Sequence, residues 1–324
     1  MLRIIFAGTS DFAVPTLEAL VASPHEVVAV VTQPDKPRGR GREMQMPPVK
    51  VIAQAHSIPV LQPEKMREPA SVAEIKAYGP VGAMVVAAYG QIVPPDLLDW
   101  PAHGCVNVHG SILPKYRGAA PIQHALIAGE TQAGVSTMLM DVGLDTGDIL
   151  LQESIDIRPD ETAGDLTPRL ALLGARLLIR TLEGIESGSI APIPQTHDLA
   201  SIARSLKRDA GAIDWSRSAD EIVNLIRGCT PRPGAFTKLG DTQVKVWHAT
   251  VLGRDFKSRP RTESGAPGEI VAIDKDGIEV AAGRGSVRLI EVQPESRKLM
   301  SAADFARGGA KVGERFAVRF EMAE

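Results

Sequence analysis

Leu2-Arg3-Ile4-Ile5-Phe6-Ala7-Gly8-Thr9-Ser10-Asp11-Phe12 is an apolar, β-rich run that ends at a glycine and then turns polar. A short apolar run without regular alternation fits a strand covered on both faces, so residues 2–7 read as a strand. A helical pattern follows over 15–22, then a strand over 27–32 and helices over 49–55 and 69–77. Residues 83–87, 105–109 and 135–140 read as further strands, with a helix over 121–128 between the last two and a long amphipathic helix over 166–183. Strands that alternate with helices and are apolar on both faces predict a Rossmann-like α/β domain, a mostly parallel sheet with helices on both faces.

Beyond that domain the pattern changes. Gly188, Pro192 and Pro194 interrupt any periodicity, so residues 188–206 read as a linker between a first domain over 1–187 and a second over 207–324. The second opens with a helix over 219–227. Short strands follow over 243–250, 268–273, 278–282 and 287–292, and Asp274-Lys275-Asp276-Gly277 is a hairpin connection between two of them. Ser301 and Asp304, three apart, form a capping-type pair at the start of a short helix. Short strands with tight turns predict a small C-terminal β-barrel.

The composition, 44% hydrophobic and 23% charged, is that of a water-soluble globular chain. Cys105 and Cys229 are too far apart in sequence for a metal or redox spacing, and no stretch is apolar for long enough to span a bilayer. We therefore expect a cytoplasmic protein with no bound metal and no membrane partner; we also expect a monomer, although nothing in the composition dictates it. The net charge of −3 is divided unevenly: residues 1–205 sum to −6 and residues 206–324 to +3. A mildly basic C-terminal part fits a polyanionic partner.

The first βα turn lacks the G-x-G-x-x-G spacing that brings a pyrophosphate to a helix N-terminus, which disfavours a nicotinamide dehydrogenase. No Walker A sequence is present either. Two other segments carry polar groups at expected strand ends. Asn107-Val108-His109-Gly110-Ser111-Ile112-Leu113-Pro114-Lys115-Tyr116-Arg117-Gly118 places Asn107 and His109 two apart, so the pleat sends both side chains to one side. Met140-Asp141-Val142-Gly143-Leu144-Asp145-Thr146-Gly147-Asp148 is an acidic, glycine-punctuated loop after another strand. Alone, either segment has an ordinary structural explanation, a satisfied polar pair or a turn.

Together they resemble the 10-formyltetrahydrofolate-dependent formyltransferases, whose pattern is Asn-x-His-x-Ser-x-Leu-Pro followed downstream by a loop Asp. The resemblance implies a catalytic trio of Asn107, His109 and Asp145. It also implies that Ser111, Ile112, Leu113 and Pro114 lie along the folate and that Asp141, Val142 and Gly143 lie near its pterin ring. The expected reaction is formyl transfer from 10-formyltetrahydrofolate to a primary amine. Asn107 would stabilise the oxyanion, His109 when protonated would donate to the same oxygen, and Asp145 would orient the imidazole.

Gln33-Pro34-Asp35-Lys36-Pro37-Arg38-Gly39-Arg40-Gly41-Arg42 bears on the acceptor. This basic loop is similar to the long RNA-contacting loop of those family members that act on charged initiator tRNA, which implies contacts from Arg38, Arg40 and Arg42 and methionyl initiator tRNA as partner. Phe6-Ala7-Gly8-Thr9, Val86-Ala87-Ala88-Tyr89-Gly90, Arg117-Gly118-Ala119-Ala120-Pro121-Ile122, Ile213-Asp214-Trp215 and Val244-Lys245-Val246-Trp247 extend the likeness over nearly the whole chain. The family's C-terminal domain is a barrel of oligonucleotide-binding type. One departure is local: Arg232-Pro233-Gly234-Ala235-Phe236 lacks a Trp that some relatives carry. An amino-sugar nucleotide formyltransferase would keep the trio but have no use for the basic loop. A folate-dependent hydrolase would differ only in the acceptor, and an RNA-binding module would leave the trio unexplained.

Overall fold

The computed structural model describes residues 1–38, 43–252 and 265–319. In chain order the first elements are β1 (Arg3–Gly8), α1 (Val14–Val21), β2 (Glu26–Val31), β3 (Lys36–Arg38), β4 (Glu43–Gln45), α2 (Pro48–Ala55), β5 (Val60–Leu61) and α3 (Pro69–Lys76). They continue with β6 (Ala83–Ala87), α4 (Pro95–Leu98), β7 (Cys105–His109), α5 (Pro121–Ile127), β8 (Gln132–Leu139), β9 (Ile149–Asp156) and α6 (Ala163–Ser187). Proline stands in the first turn of each helix from α1 to α5. There its missing N–H costs nothing and its fixed φ suits the helix.

Seven strands form one sheet in the order β5-β2-β1-β6-β7-β8-β9. The pairings from β5 to β7 are parallel, and β7–β8 and β8–β9 are antiparallel. The expected strands are present, and β9 is an addition. Its side chains alternate between partly buried and exposed along Gln152, Glu153, Ser154, Ile155 and Asp156, as suits the outermost strand of the sheet, and this polarity hid it in the sequence. The strand order runs outward from β1 to β2 and β5, then returns to the other side of β1 with β6. Such a reversal leaves the carboxyl ends of neighbouring strands open for a ligand.

The chain divides into two compact units. The first comprises Met1–Pro121, Gln132–Asp156 and Thr167–Arg204, and the second Ile122–Thr131, Ile157–Leu166 and Ser205–Glu324. Part of the segment expected as a linker belongs to the first unit's fabric: Ile193 bridges Ile149, and Ile202 bridges Arg117.

The second unit contains α7 (Ala219–Cys229), β10 (Ala235–Leu239), β11 (Thr242–Val251), β12 (Ile270–Asp274), β13 (Gly277–Ala281), β14 (Ser286–Pro294), β15 (Met300–Ser301) and α8 (Ala302–Arg307). Ser218 starts α7 with a full capping box: its hydroxyl accepts from the Glu221 N–H, and Glu221 accepts from the Ser218 N–H at 3.0 Å. Ser301 caps α8 by accepting from Asp304 N–H. The strands are ordered β10-β11-β14-β13-β12, all antiparallel, with Asp274 paired to Gly277 across the expected hairpin. Residues 313–317 then bridge the two ends. Leu239 pairs with Phe316 and Glu269 with Arg315, so the sheet closes into a barrel. Phe316 packs inside it, stacked on Trp215 with ring centroids 5.7 Å apart, and Trp215 Nε1 donates to Thr237 Oγ1. Among the described residues no helix is long and apolar enough to cross a membrane.

Candidate active site

β7 carries Asn107 and His109 two residues apart at its carboxyl end, as the pleat requires, and both side chains are buried. The loop between β8 and β9 brings Asp145 to them. Asn107 Nδ2 lies 3.4 Å from Asp145 Oδ1, and His109 Nδ1 lies 3.6 Å from Asp145 Oδ2. The three residues therefore meet in space, with a neutral amide and an imidazole converging on one carboxylate.

The segment 116–118 grips this group from the other side. The Tyr116 carbonyl accepts from His109 Nε2 at 3.0 Å, and the Gly118 N–H donates to Asp145 Oδ2 at 2.7 Å. Since a carbonyl only accepts, Nε2 carries the proton in this arrangement. The Nε2–H of the imidazole is thus committed to the main chain in this structure. Asn107 is differently placed: among the described residues its one side-chain contact is long, which leaves amide donor capacity uncommitted. Gly118 has φ of +116°, and a Cβ there would come within 2.8 Å of the Ala203 carbonyl oxygen, so only glycine lets the backbone turn its N–H onto the carboxylate.

Asp145 itself has φ of +50°, the left-handed region that non-glycine residues seldom occupy. Its loop is closed internally by Asp141, whose carboxylate accepts from Gly143 N–H at 3.0 Å and from the Thr146 hydroxyl. Gly147 completes the turn, since a Cβ there would meet the Leu139 carbonyl oxygen. Val142 and Leu144 are exposed at the loop's outer face.

Behind the loop lies Gln195, buried. Its Nε2 donates to the carbonyls of Asp145 at 2.9 Å and Gly147 at 2.7 Å. Its Oε1 accepts from Arg117 Nε at 3.1 Å and Nη2 at 2.7 Å.

Ser111, Ile112, Leu113 and Pro114 leave β7 alongside the trio. Ser111 donates to the Lys115 carbonyl at 2.6 Å, Leu113 is buried, and Ile112 and Pro114 are half-buried. Ser136 of β8 accepts from the Leu113 N–H and donates to the Ser111 carbonyl, while Gln152 of β9 donates to the Leu113 carbonyl and to Ser136. At the neighbouring strand end, Thr9 Oγ1 and Gln33 Nε2 both donate to the Tyr89 carbonyl, tying the loops after β1, β2 and β6 together.

Tyr116, Gly118, Gln195, Ser136 and Gln152 are site-building residues that sequence reasoning missed as such. Tyr116 and Gly118 stood inside the quoted motif. Gln195 had no local signal, because its burial depends on where residues 190–204 dock.

The basic hairpin is anchored rather than free at its base. Lys50 Nζ of α2 meets both Asp35 carboxylate oxygens, at 2.9 and 2.8 Å, and Gln62 Oε1 at 2.8 Å. Gln62 Nε2 donates to Asp35 and to the Gln33 carbonyl. The backbone of Arg38 pairs with Glu43 in the β3–β4 ladder, and Arg40 and Arg42 lie outside the described residues.

With this geometry in hand, comparison with known proteins is specific. The family model described as Formyl transferase matches residues 2–182, and Formyl transferase, C-terminal domain, matches residues 205–310. The chain is 50% identical to the methionyl-tRNA formyltransferase of Geobacter metallireducens over 307 residues, covering 95% of this chain and 96% of that one. It is 49% identical to the methionyl-tRNA formyltransferase of Citrifermentans bemidjiense over 95% of this chain and 93% of the relative. Among solved structures, an N-formyltransferase from Helicobacter canadensis in complex with folinic acid and dTDP-3-aminofucose shares the fold with a TM-score of 0.62 at 19% identity, covering 89% of this chain and 99% of that one. Two domain matches in the order of the two expected domains, and relatives half identical along nearly their entire length, admit one assignment: this chain belongs to the formyl transferase family.

Proposed function

We propose that the protein transfers the formyl group of 10-formyltetrahydrofolate to the free amine of methionyl initiator tRNA, giving formylmethionyl-tRNA for the start of translation. The observation that carries this reading is the meeting of Asn107, His109 and Asp145 at the carboxyl end of β7, in a chain half identical to enzymes named for that reaction.

In this reading the neutral amine attacks the formyl carbon, the carbonyl π pair moves onto oxygen, and collapse expels the folate nitrogen. One proton leaves the amine and one reaches the departing nitrogen. Asn107 donates to the developing oxyanion as a neutral donor fixed by its strand, a role whose loss typically lowers rate by about 10²–10³. His109 gives up the Tyr116 carbonyl and donates to the same oxygen. Asp145 stands beside the Nδ1 of that ring, orients it and passes the amine's proton onward through water. Ser111, Ile112, Leu113 and Pro114, held by Ser136 and Gln152, line the folate, with Asp141, Val142 and Gly143 beside its pterin. The unit made of Met1–Pro121, Gln132–Asp156 and Thr167–Arg204 then performs the transfer. Residues 207–324 contact the tRNA, Arg38, Arg40 and Arg42 of the basic sequence segment also contact it, and the protein works as a monomer in the cytoplasm.

The test is folate-dependent formylation of charged initiator tRNA by the purified protein. Alanine at Asn107, His109 or Asp145 should each lower turnover by about 10² or more with tRNA affinity kept, and double replacements should cost far less than the product of the singles. Near-normal turnover in His109→Ala would remove the trio from the mechanism, and absence of any formylation by the wild type would remove the reaction.

A further inference from the structure

We infer that Arg117 and Gln195 are positioning residues that set Asp145 for transfer, an inference that rests on the proposed role of Asp145 beside the reacting atoms. Asp145 holds a left-handed backbone conformation without being glycine, so something must hold it there. Two carbonyls of its turn, those of Asp145 and Gly147, converge on the one amide nitrogen of Gln195.

That amide has two possible orientations. Arg117 selects one, because its Nε and Nη2 both point at Gln195 Oε1. Rotated by half a turn, the amide would set N–H groups against guanidinium N–H groups and its oxygen against two carbonyl oxygens, four like contacts in a buried place. The guanidinium also polarises the amide, which strengthens its donation to the two carbonyls. Arg117 is itself fixed at both backbone ends, its N–H donating to Ser201 O at 2.8 Å and its carbonyl accepting from Ala203 N–H at 2.7 Å, and by Nη2 on His197 Nδ1 at 3.3 Å.

The adjoining Gly118 N–H holds the Asp145 carboxylate. One dipeptide thus grips the aspartate by its side chain directly and by its backbone through Gln195. Residues 195–203, expected from sequence as a connection, supply the far half of the clamp.

The experiment compares Gln195→Leu and Gln195→Glu in the full-length protein. Glutamate keeps an acceptor for Arg117 but sets an oxygen against the Asp145 and Gly147 carbonyls, so both variants should lose turnover at least tenfold. The KM for tRNA and the Kd for folate should stay within twofold. Placed on an Asp145→Ala background, either replacement should cost less than twofold more, because a residue acting through Asp145 has nothing left to position. The imidazole nitrogen resonances of His109 should move toward those of Asp145→Asn, a readout independent of turnover. Unmoved resonances, or an equal rate loss with and without Asp145, would overturn the clamp. Should Asp145→Ala be fully active, the catalytic reading of Asp145 would fall, and the resonances would still decide whether Gln195 holds it.

Discussion

Cys105 and Cys229 show how burial decides the chemistry of a single atom. The Cys105 thiol donates to the Leu97 carbonyl at 3.2 Å, and burial together with the nearby Asp99 pushes its pKa up to about 12. Burial alone pushes Cys229 up to about 11. The thiolate is the reactive form, so both thiols are inert at neutral pH. We predict that Ellman's reagent at pH 8 finds almost no thiol in the native protein and two equivalents after denaturation. Rapid native reaction would mean that one of these sites opens readily. At this same scale the sequence was legible wherever a pattern is local. Asn107 and His109 could be placed on one side of a strand from their spacing alone. Asp145 could be placed near a neighbouring strand end, but its catalytic role came only through resemblance, because its approach depends on an antiparallel pairing about 30 residues away in the chain. Gln195 could not be reached at all, following Pro192 and Pro194 in a stretch whose docking no periodicity records.

Among the elements, the β3–β4 hairpin is the one whose mounting has a testable cost. Hydrogen bonds from Lys50 and then Gln62 hold the Asp35 carboxyl below the usual carboxylate range. Its folded pKa is therefore depressed. The anchor contributes in full above the unfolded value and is lost only as pH falls through the folded one, so at neutral pH it is complete. If the hairpin arm contacts tRNA, Lys50→Met should raise the KM for tRNA several-fold while leaving turnover at saturation and folate binding unchanged, and Lys50→Arg should restore part of the loss. An unchanged KM would reduce the anchor to local structure. Elements were legible where apolar runs or proline starts marked them, as for β1, β6, β7 and helices α2, α3 and α5. The elements missed were those whose signal tertiary pairing dilutes. β9 is polar at the margin of its sheet, and β10 follows directly on the proline-rich stretch around Pro231 and Pro233, where breaker residues mask a strand.

At the scale of the whole molecule, the second unit depends on a few late residues. Phe316 is buried, stacks on Trp215 and pairs with Leu239. Replacing a buried phenylalanine with alanine typically costs about 3–5 kcal/mol. We predict that Phe316→Ala destabilises the second unit by about that amount in urea unfolding followed by circular dichroism. A loss below about 1 kcal/mol would mean that the site collapses around the gap or that closure adds little. The fold class of this unit was legible from its short strands and turns. Its closure was not, since residues 313–317 form isolated bridges rather than a strand of recognisable pattern.

That closure also governs how the protein meets its own copies. An open sheet ends in a row of backbone donors and acceptors that can template strand addition from a neighbouring chain, the first step toward swapped dimers and fibrous aggregates. In this barrel the outer side of β10 is occupied by Ile213, whose N–H donates to the Phe236 carbonyl, and by Ala317, whose N–H donates to Lys238. The start of β12 is occupied by residues 313–316 through Ile270 and Gly268. The same few residues that complete the core thus act as a gatekeeper against strand addition at both edges of the sheet.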